Sequence, residues 1–397
     1  MKKHLNDVVI VGAARTAIGS FGGALKNHSA CDLGALVVKA VFDRAGLNAA
    51  QVGQIVMGNV LHSEARDMYV SRVVGLQAGM SKGSSALTLN RLCGSGLQAI
   101  ITATNAIQLG DSDAAIGGGV ETMSRALYAL PAGRWGARMG DAAVIDMMTG
   151  ALTDPFGAGH MGITAENVAE KFGISRERQD EFALASHQKA IAAIKEGHFA
   201  SQIVPVEIKG RKGTTIFEVD EHPKEETTLE SLAKLRPAFR KEGGTVTAGN
   251  ASGINDGAAA CLLMDSDTAR REGIAPMARI ASYAVEGVEP ALMGTGPIPA
   301  VKRALQRAGL TLDDMQVIES NEAFAAQSLG VCIGLDLDPA KTNPNGGAIA
   351  LGHPLGASGA ILVVKCLYEL KRTHGRYGLI TMCIGGGQGI AMVIERL

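Results

Sequence analysis

The sequence predicts an α/β protein built from two similar halves, with a segment of different character set into the first half. Three observations carry this. Short apolar strand signals alternate with helix signals, first to about residue 123 and again from about 276. One arrangement occurs twice: Cys93-Gly94-Ser95-Gly96 and Gly356-Ala357-Ser358-Gly359 each open an apolar helix. A buried strand then follows, with three glycines, Gly117 to Gly119 in one case and Gly385 to Gly387 in the other. Between about 124 and 247 the composition shifts to longer loops, with Trp135 and several Arg and Met residues.

The elements follow in order. Val8 to Val11 reads as a buried strand broken by Gly12. Leu33, Leu36, Val37, Ala40 and Val41 recur at helical spacing from Asp32 to Ala45, and Gly46 closes that helix. Val52 to Met57 reads as a second strand. In the different segment, Ser175 caps a helix running to about Lys195. Ile203 to Ile208 and Thr214 to Val219 alternate apolar and polar residues across Lys209-Gly210-Arg211-Lys212-Gly213, which predicts a hairpin with a basic tip. The strand signals Val317 to Glu319 and Leu379 to Ile384 belong to the second half.

Composition narrows the class. A chain of 397 residues, 46% hydrophobic and 19% charged, predicts a soluble protein with more than one core. A net charge of -1 gives no overall attraction to nucleic acid or anionic membrane. The 51 glycines, about 13% against an ordinary ~7%, have no collagen period and must serve turns and close backbone approaches. The six cysteines show no Cys-x-x-Cys spacing and no metal-like cluster, so free thiols in a reducing cytoplasm fit best. Met1 to Val11 lacks the apolar length of a signal peptide, and no stretch reaches the ~18 apolar residues of a membrane span.

Four residues stand at junctions where chemistry is usually placed. Cys93 precedes a glycine-rich helix start, where unpaired N–H groups and the helix dipole favour thiolate over thiol. A small buried thiol is the competing reading. Cys383 ends an apolar strand before three glycines, at the strand end that faces the ligand crevice of an α/β sheet, or else is a core cysteine beside a turn. His353 lies in a glycine-rich loop before a helix and suits proton transfer near neutrality. Asn321 follows a strand and is either a functional amide or a helix cap. A cysteine nucleophile with a histidine base is the general pattern of covalent acyl transfer. A nucleotide-binding dehydrogenase is the weaker alternative, because Gly117 to Gly119 lacks the Gly-x-Gly-x-x-Gly fingerprint and its distal acid.

Five blocks then carry a resemblance. Asn90 to Gly96 (NRLCGSG), Thr245 to Asp256 (TVTAGNASGIND), Asn321 to Gln327 (NEAFAAQ), Gly352 to Gly356 (GHPLG) and Cys383 to Gly387 (CIGGG) resemble the signatures of the thiolase family, in the family's order. Within it the chain is most similar to bacterial acetyl-CoA acetyltransferases and the broad β-ketothiolases of polyhydroxyalkanoate synthesis.

The resemblance implies two duplicated βαβαβαββ halves in a five-layer αβαβα stack. Residues 1–123 with 248–275 would form the first half and 276–397 the second. Residues 124–247 would be an inserted loop domain for CoA binding and oligomer contacts. It implies a cytoplasmic homotetramer, a dimer of dimers, acting on coenzyme A and acyl-CoA with no metal and no resident cofactor. By the same resemblance Cys93 is the nucleophile, His353 its base and Cys383 the acid/base on the second substrate. His353 and a water held by Asn321 form one oxyanion hole; the N–H groups of Cys93 and Gly385 form the other. Leu152, His160, Met161, Lys224, Phe239, Ala248, Gly249, Ser252, Met293, Ala323 and Phe324 would contact CoA. Lys224 departs from the family's frequent arginine, keeping the charge but losing the planar fork. Condensing enzymes of the same fold that use other acyl carriers, and non-catalytic CoA-binding relatives, are the alternatives; the intact Cys93, His353, Asn321 and Cys383 blocks argue against both.

Overall fold

The computed structural model describes residues 7–211 and 213–397, so residues 1–6 and Lys212 at the predicted hairpin tip lie outside the described residues. The first half begins with β1 (Val8–Thr16), α1 (Ala30–Ala45), β2 (Gln54–Gly58), α2 (Val70–Gln77) and β3 (Ser85–Leu89). It continues with α3 (Ser95–Leu109) and β4 (Ala114–Thr122). The different segment carries α4 (Met161–Phe172), α5 (Arg176–Lys195) and the hairpin β5 (Val206–Gly210) and β6 (Gly213–Phe217). The chain then returns to the first sheet as β7 (Asn255–Asp265).

The second half repeats this plan. It runs β8 (Ala278–Gly287), α6 (Pro297–Ala308), β9 (Met315–Ser320), α7 (Ala325–Leu335), α8 (Leu355–Thr373), β10 (Tyr377–Ile384) and β11 (Gln388–Arg396). The strands lie in the order β3-β2-β4-β7-β1 and then β8-β11-β10-β9. Counted within each half, that is third, second, fourth, fifth, first in the N-terminal half. The C-terminal half has the same order, with its third strand reduced to a single parallel bridge between Ile318 and Thr342. The two first strands meet antiparallel, Val9 opposite Arg279 and Ile10 opposite Ala278. The predicted duplication is therefore present strand by strand.

Three hydrophobic clusters fill the four gaps of a five-layer stack, the central one packing both faces of the middle helix layer. Strand alternation sorts β7 between two of them. Ala259, Cys261 and Leu263 face a central cluster with α3 and α8, while Ala258, Ala260 and Leu262 face an outer one with α1 and α2. β11 divides likewise, with Ile390, Met392 and Ile394 central and Ala391 and Val393 against α6 and α7. Fully burying a side chain such as Ile100 contributes about 1.5–3 kcal/mol.

Local signals behaved as physics requires where they were local. Ser29 accepts from the Asp32 N–H at 3.1 Å, worth about 1 kcal/mol, and Gly46 ends α1 with φ 65°. Ser175 caps α5 through the Arg178 N–H. Three expectations are corrected. Ile203–Val204 is not part of the hairpin but lies parallel to Arg15 and Thr16 of β1, because Pro205 interrupts the run before Val206. Asn321 caps no helix, since α7 begins at Ala325 after Phe324. The two glycine triplets also differ. Gly117 to Gly119 lie inside β4, where a Cβ on Gly117 would come 2.6 Å from the Ile100 Cα of α3. Gly386 and Gly387 form the turn after β10, with φ of 79° and 85°.

Candidate active site

The residues singled out at junctions are brought to one region by the two central helices and the ends of β9 and β10. Cys93 sits on a tight turn two residues before α3. Leu92 holds φ at 46°, an uncommon value for a branched residue, and the turn is fastened around it. The Leu92 N–H donates to Asn90 Oδ1 at 2.8 Å, and Ser95 Oγ donates to the Leu92 carbonyl at 2.6 Å. Arg91 reaches across to Gln388 Oε1 at 3.0 Å, tying this turn to the loop after Cys383. A Cβ on Gly94 would meet Ile384, so the two loops are in direct contact.

The backbone N–H groups of Gly385 and of Cys93 itself pull the Cys93 thiol toward thiolate. Burial nevertheless wins and pushes the thiol up to about 11, with the Glu121 carboxylate adding to the rise. The thiolate preference expected from the helix start is thus corrected: Cys93 rests as a thiol. Cys383 is buried, and burial followed by the neighbouring Cys93 raises its thiol well above the ordinary range.

His353 is buried and held at three points. Its N–H donates to Asn255 Oδ1 at 2.9 Å. Its Nδ1 lies 2.6 Å from Ser358 Oγ, and its Nε2 lies 3.4 Å from the Asn321 side-chain nitrogen. Ser358 donates its own hydrogen to the Pro354 carbonyl at 2.9 Å, so its oxygen accepts from Nδ1–H. That leaves the lone pair on Nε2, facing the Asn321 amide donor. Burial lowers the imidazole to about 4, so it is a neutral acceptor across the physiological range. Asn321 is fixed in turn. Its N–H donates to the Thr381 carbonyl at 3.0 Å, which places it beside the strand that ends in Cys383. Next to it Glu322 is buried and accepts from Ser186, Asn343 and the Ile349 N–H.

The residues expected to contact CoA fall into three groups. Met161, Met293, Ala323 and Phe324 share an apolar cluster with Cys383, and Phe239 packs against it. His160 caps α4 through the Gly162 N–H at 3.1 Å and stacks on Phe239 with ring centroids 4.8 Å apart. Leu152 packs with Cys93 on a cluster of Leu61, Met123 and Leu355, and its carbonyl accepts from the Met161 N–H at 2.8 Å. Lys224, Ala248 and Gly249 instead line a cleft of about 350 Å³ with His187 and His222. Ser252 joins the cleft side to the site through its N–H on the Ala323 carbonyl.

Sequence reasoning missed Ser358, Asn255 and Glu322. Their signal was present but faint: a polar residue inside an otherwise apolar helix or strand must have a buried partner.

Comparison with known proteins gives the family. The thiolase N-terminal domain matches residues 8–267 and the thiolase C-terminal domain residues 274–396. The chain is 58% identical over 391 residues to beta-ketothiolase BktB of Cupriavidus necator, covering 98% of this chain and 99% of that protein. It is 52% identical over 396 residues to an acetyl-CoA acetyltransferase of Escherichia coli, covering 99% and 100%. Among solved structures, human mitochondrial 3-ketoacyl-CoA thiolase superposes with a TM-score of 0.97 at 45% identity over 100% of both chains. Its complex with CoA gives 0.96 at 45% identity, over 99% of this chain and 98% of that one. Fold and site define an acyltransferase of the condensing type. The chain belongs to the thiolase family.

Proposed function

We propose that this enzyme is an acetyl-CoA C-acyltransferase. It would interconvert two acyl-CoA molecules, acetyl-CoA with acetyl-CoA or another short acyl-CoA, and β-ketoacyl-CoA plus CoA, through an acyl-enzyme on Cys93 in a ping-pong sequence. The observation that carries the reading is the direct packing of the Cys93 turn against the segment Cys383 to Gly385, where Gly94 meets Ile384 and Gly385 meets Leu92.

The proposed steps balance. Cys93 sulfur attacks the thioester carbonyl as Nε2 of His353 takes its proton. The C–S bond to CoA breaks, and the CoA thiolate takes the proton of Cys383. Cys383, now thiolate, removes a proton from the methyl carbon of the second acetyl-CoA. A high thiol pKa suits this step, since a strong base is needed at carbon. The enolate carbon attacks the acyl group, and its oxygen is met by His353 and by a water on Asn321. The Cys93 and Gly385 N–H groups meet the tetrahedral oxyanion. Cys93 thiolate then leaves and recovers its proton from His353. Splitting the transfer in two avoids a direct encounter of two CoA esters.

Residues 124–247, set between the N-terminal half (1–123 with 248–275) and the C-terminal half (276–397), are assigned CoA binding and oligomer contacts. Leu152, His160, Met161, Phe239, Met293, Ala323 and Phe324 would hold the pantetheine and acyl end. Lys224, Ala248, Gly249 and Ser252 would take the nucleotide end, with Lys224 as a charge on phosphate. CoA in the complex of the related human thiolase supports this assignment. A homotetramer is supported by exposed apolar residues that need cover, among them Trp135, Met139 and Phe156 of the inserted segment and Leu87 on the edge strand β3. No helix among the described residues is long and apolar enough to cross a membrane, and a cytoplasmic role in short-chain or polyhydroxyalkanoate precursor metabolism is proposed. The names of the relatives, a beta-ketothiolase and an acetyl-CoA acetyltransferase, favour acetyl-CoA and a β-ketoacyl-CoA as substrates.

The test is CoA-dependent cleavage of acetoacetyl-CoA, followed by loss of its enolate absorbance. Wild type should cleave it and Cys93→Ala should not. A folded wild type without cleavage, or a Cys93→Ala variant that keeps it, overturns the reading.

A further inference from the structure

Glu121 is a fully buried carboxylate for which the proposed chemistry has no use. It is the second-to-last residue of β4, the fourth strand of the N-terminal half. Cys383 is the second-to-last residue of β10, the fourth strand of the C-terminal half. The duplicated strand order therefore sets a carboxylate in one half where the other half sets a thiol.

Glu121 accepts four hydrogen bonds from two separate segments, one in each half. Two are from the Val60 and Leu61 N–H groups, at 3.1 and 3.0 Å, and one from Asn59 Nδ2 at 3.1 Å. The last is the shortest, 2.7 Å from the Gly356 N–H. Gly356 is in the first turn of α8, three residues after His353. Leu61 and Leu355 belong to the small cluster on which Cys93 packs. All four partners are N–H donors, so the group fits as an acceptor on both oxygens. When Glu121 is ionised these bonds become charge-assisted and about twice as strong as neutral ones.

The halves brace each other in a reciprocal way. From the C-terminal half, Ile384 and Gly385, just after Cys383, pack on the turn of Leu92 to Gly94 ahead of the N-terminal central helix. From the N-terminal half, Glu121 takes the N–H of Gly356 at the start of the C-terminal central helix. We infer that Glu121 is a positioning residue that holds the His353 loop in register with the Cys93 turn.

The surroundings agree with that role. Burial pushes Glu121 up to about 8 against the pull of its donors, and Asp67 adds to the rise. Glu121 in turn raises Cys93. The inference rests on Cys93 as the nucleophile, and its test reads the thiol directly, so the two can fail separately.

The experiment compares wild type, Glu121→Gln and Glu121→Asp. One readout is the rate of iodoacetamide alkylation of the Cys93 peptide against pH, on the alkaline side where Glu121 is ionised. The other is acetoacetyl-CoA cleavage. Glu121→Gln removes the charge and turns a donor toward donors. Its alkylation profile should move to lower pH, and kcat should fall at least about tenfold with KM changed much less. Glu121→Asp keeps the charge on a shorter arm, so kcat should fall while the alkylation profile stays put. A folded Glu121→Gln with wild-type kcat, or with its loss confined to KM, overturns the inference. If the glutamine variant does not fold, Glu121→Asp decides: wild-type kcat there overturns it, and an unmoved profile with reduced kcat supports it. A wild type that alkylates at Cys93 but cleaves nothing would strike the proposed reaction and leave the thiol measurement standing.

Discussion

The two halves share one strand order and differ most between their fourth and fifth strands. In the N-terminal half, residues 123–254 separate β4 from β7 and carry α4, α5, the hairpin and the cleft of Lys224. In the C-terminal half, only Gly385 to Gly387 separate β10 from β11. The same position takes a long inserted segment in one half and a three-residue turn in the other. The tight turn begins at Ile384 and Gly385, which pack on the Leu92 to Gly94 turn that carries Cys93. A second difference lies at the third strand. It is a full edge strand in the N-terminal half, but in the C-terminal half it shrinks to the bridge at Thr342, and the chain goes on to the loop that holds His353. A duplicated scaffold thus supplies two equivalent helix starts, and divergence of the connections gives one a thiol and the other an imidazole.

Breaking the C-terminal member of the comparison should have the largest effect. Cys383→Ser should slow exchange of acetyl-CoA methyl hydrogens with deuterated solvent by about 10²–10⁴-fold, with much less effect on acylation of Cys93. Undiminished exchange would remove Cys383 from the chemistry. The pH dependence sharpens the pairing of the two helix starts. His353 is neutral above about 4 and loses its role as base only as pH falls through that value. Acylation followed by stopped flow should hold level as pH falls toward about 4 and decline below it. A limb near an unperturbed histidine pKa of about 6.5 would show His353 to be more solvated than its burial allows.

The smallest effect concerns the turn itself. Gly387 has φ 85°, and a Cβ there would press on the Val288 carbonyl and Pro290. Gly387→Ala should cost about 1–3 kcal/mol of stability, seen as a lower midpoint in thermal unfolding. An unchanged midpoint would mean the turn is not held tightly.

The helix α1 was legible because its apolar spacing and its caps are local. Cys93, His353 and Cys383 were legible because their glycine neighbours mark strand and helix junctions. What escaped depends on chain segments far apart in sequence. The resting state of Cys93 is decided by desolvation, which no neighbour in sequence reports. Glu121 lies in Ala-Ala-Ile-Gly-Gly-Gly-Val-Glu, where a lone carboxylate in a buried strand was the clue, and its four donors come from residues 59–61 and 356. Ile203 reads as hairpin by alternation alone, and only its pairing with Arg15 places it elsewhere.

The central claim is a covalent acyl group on Cys93. It is tested most directly by mixing the enzyme with acetyl-CoA alone, quenching in acid and locating the adduct by peptide mass spectrometry. The account predicts one acetyl group, on the peptide containing Cys93, absent from Cys93→Ala. An acetyl group carried by Cys383 instead, or retained in the Cys93→Ala variant, would contradict it.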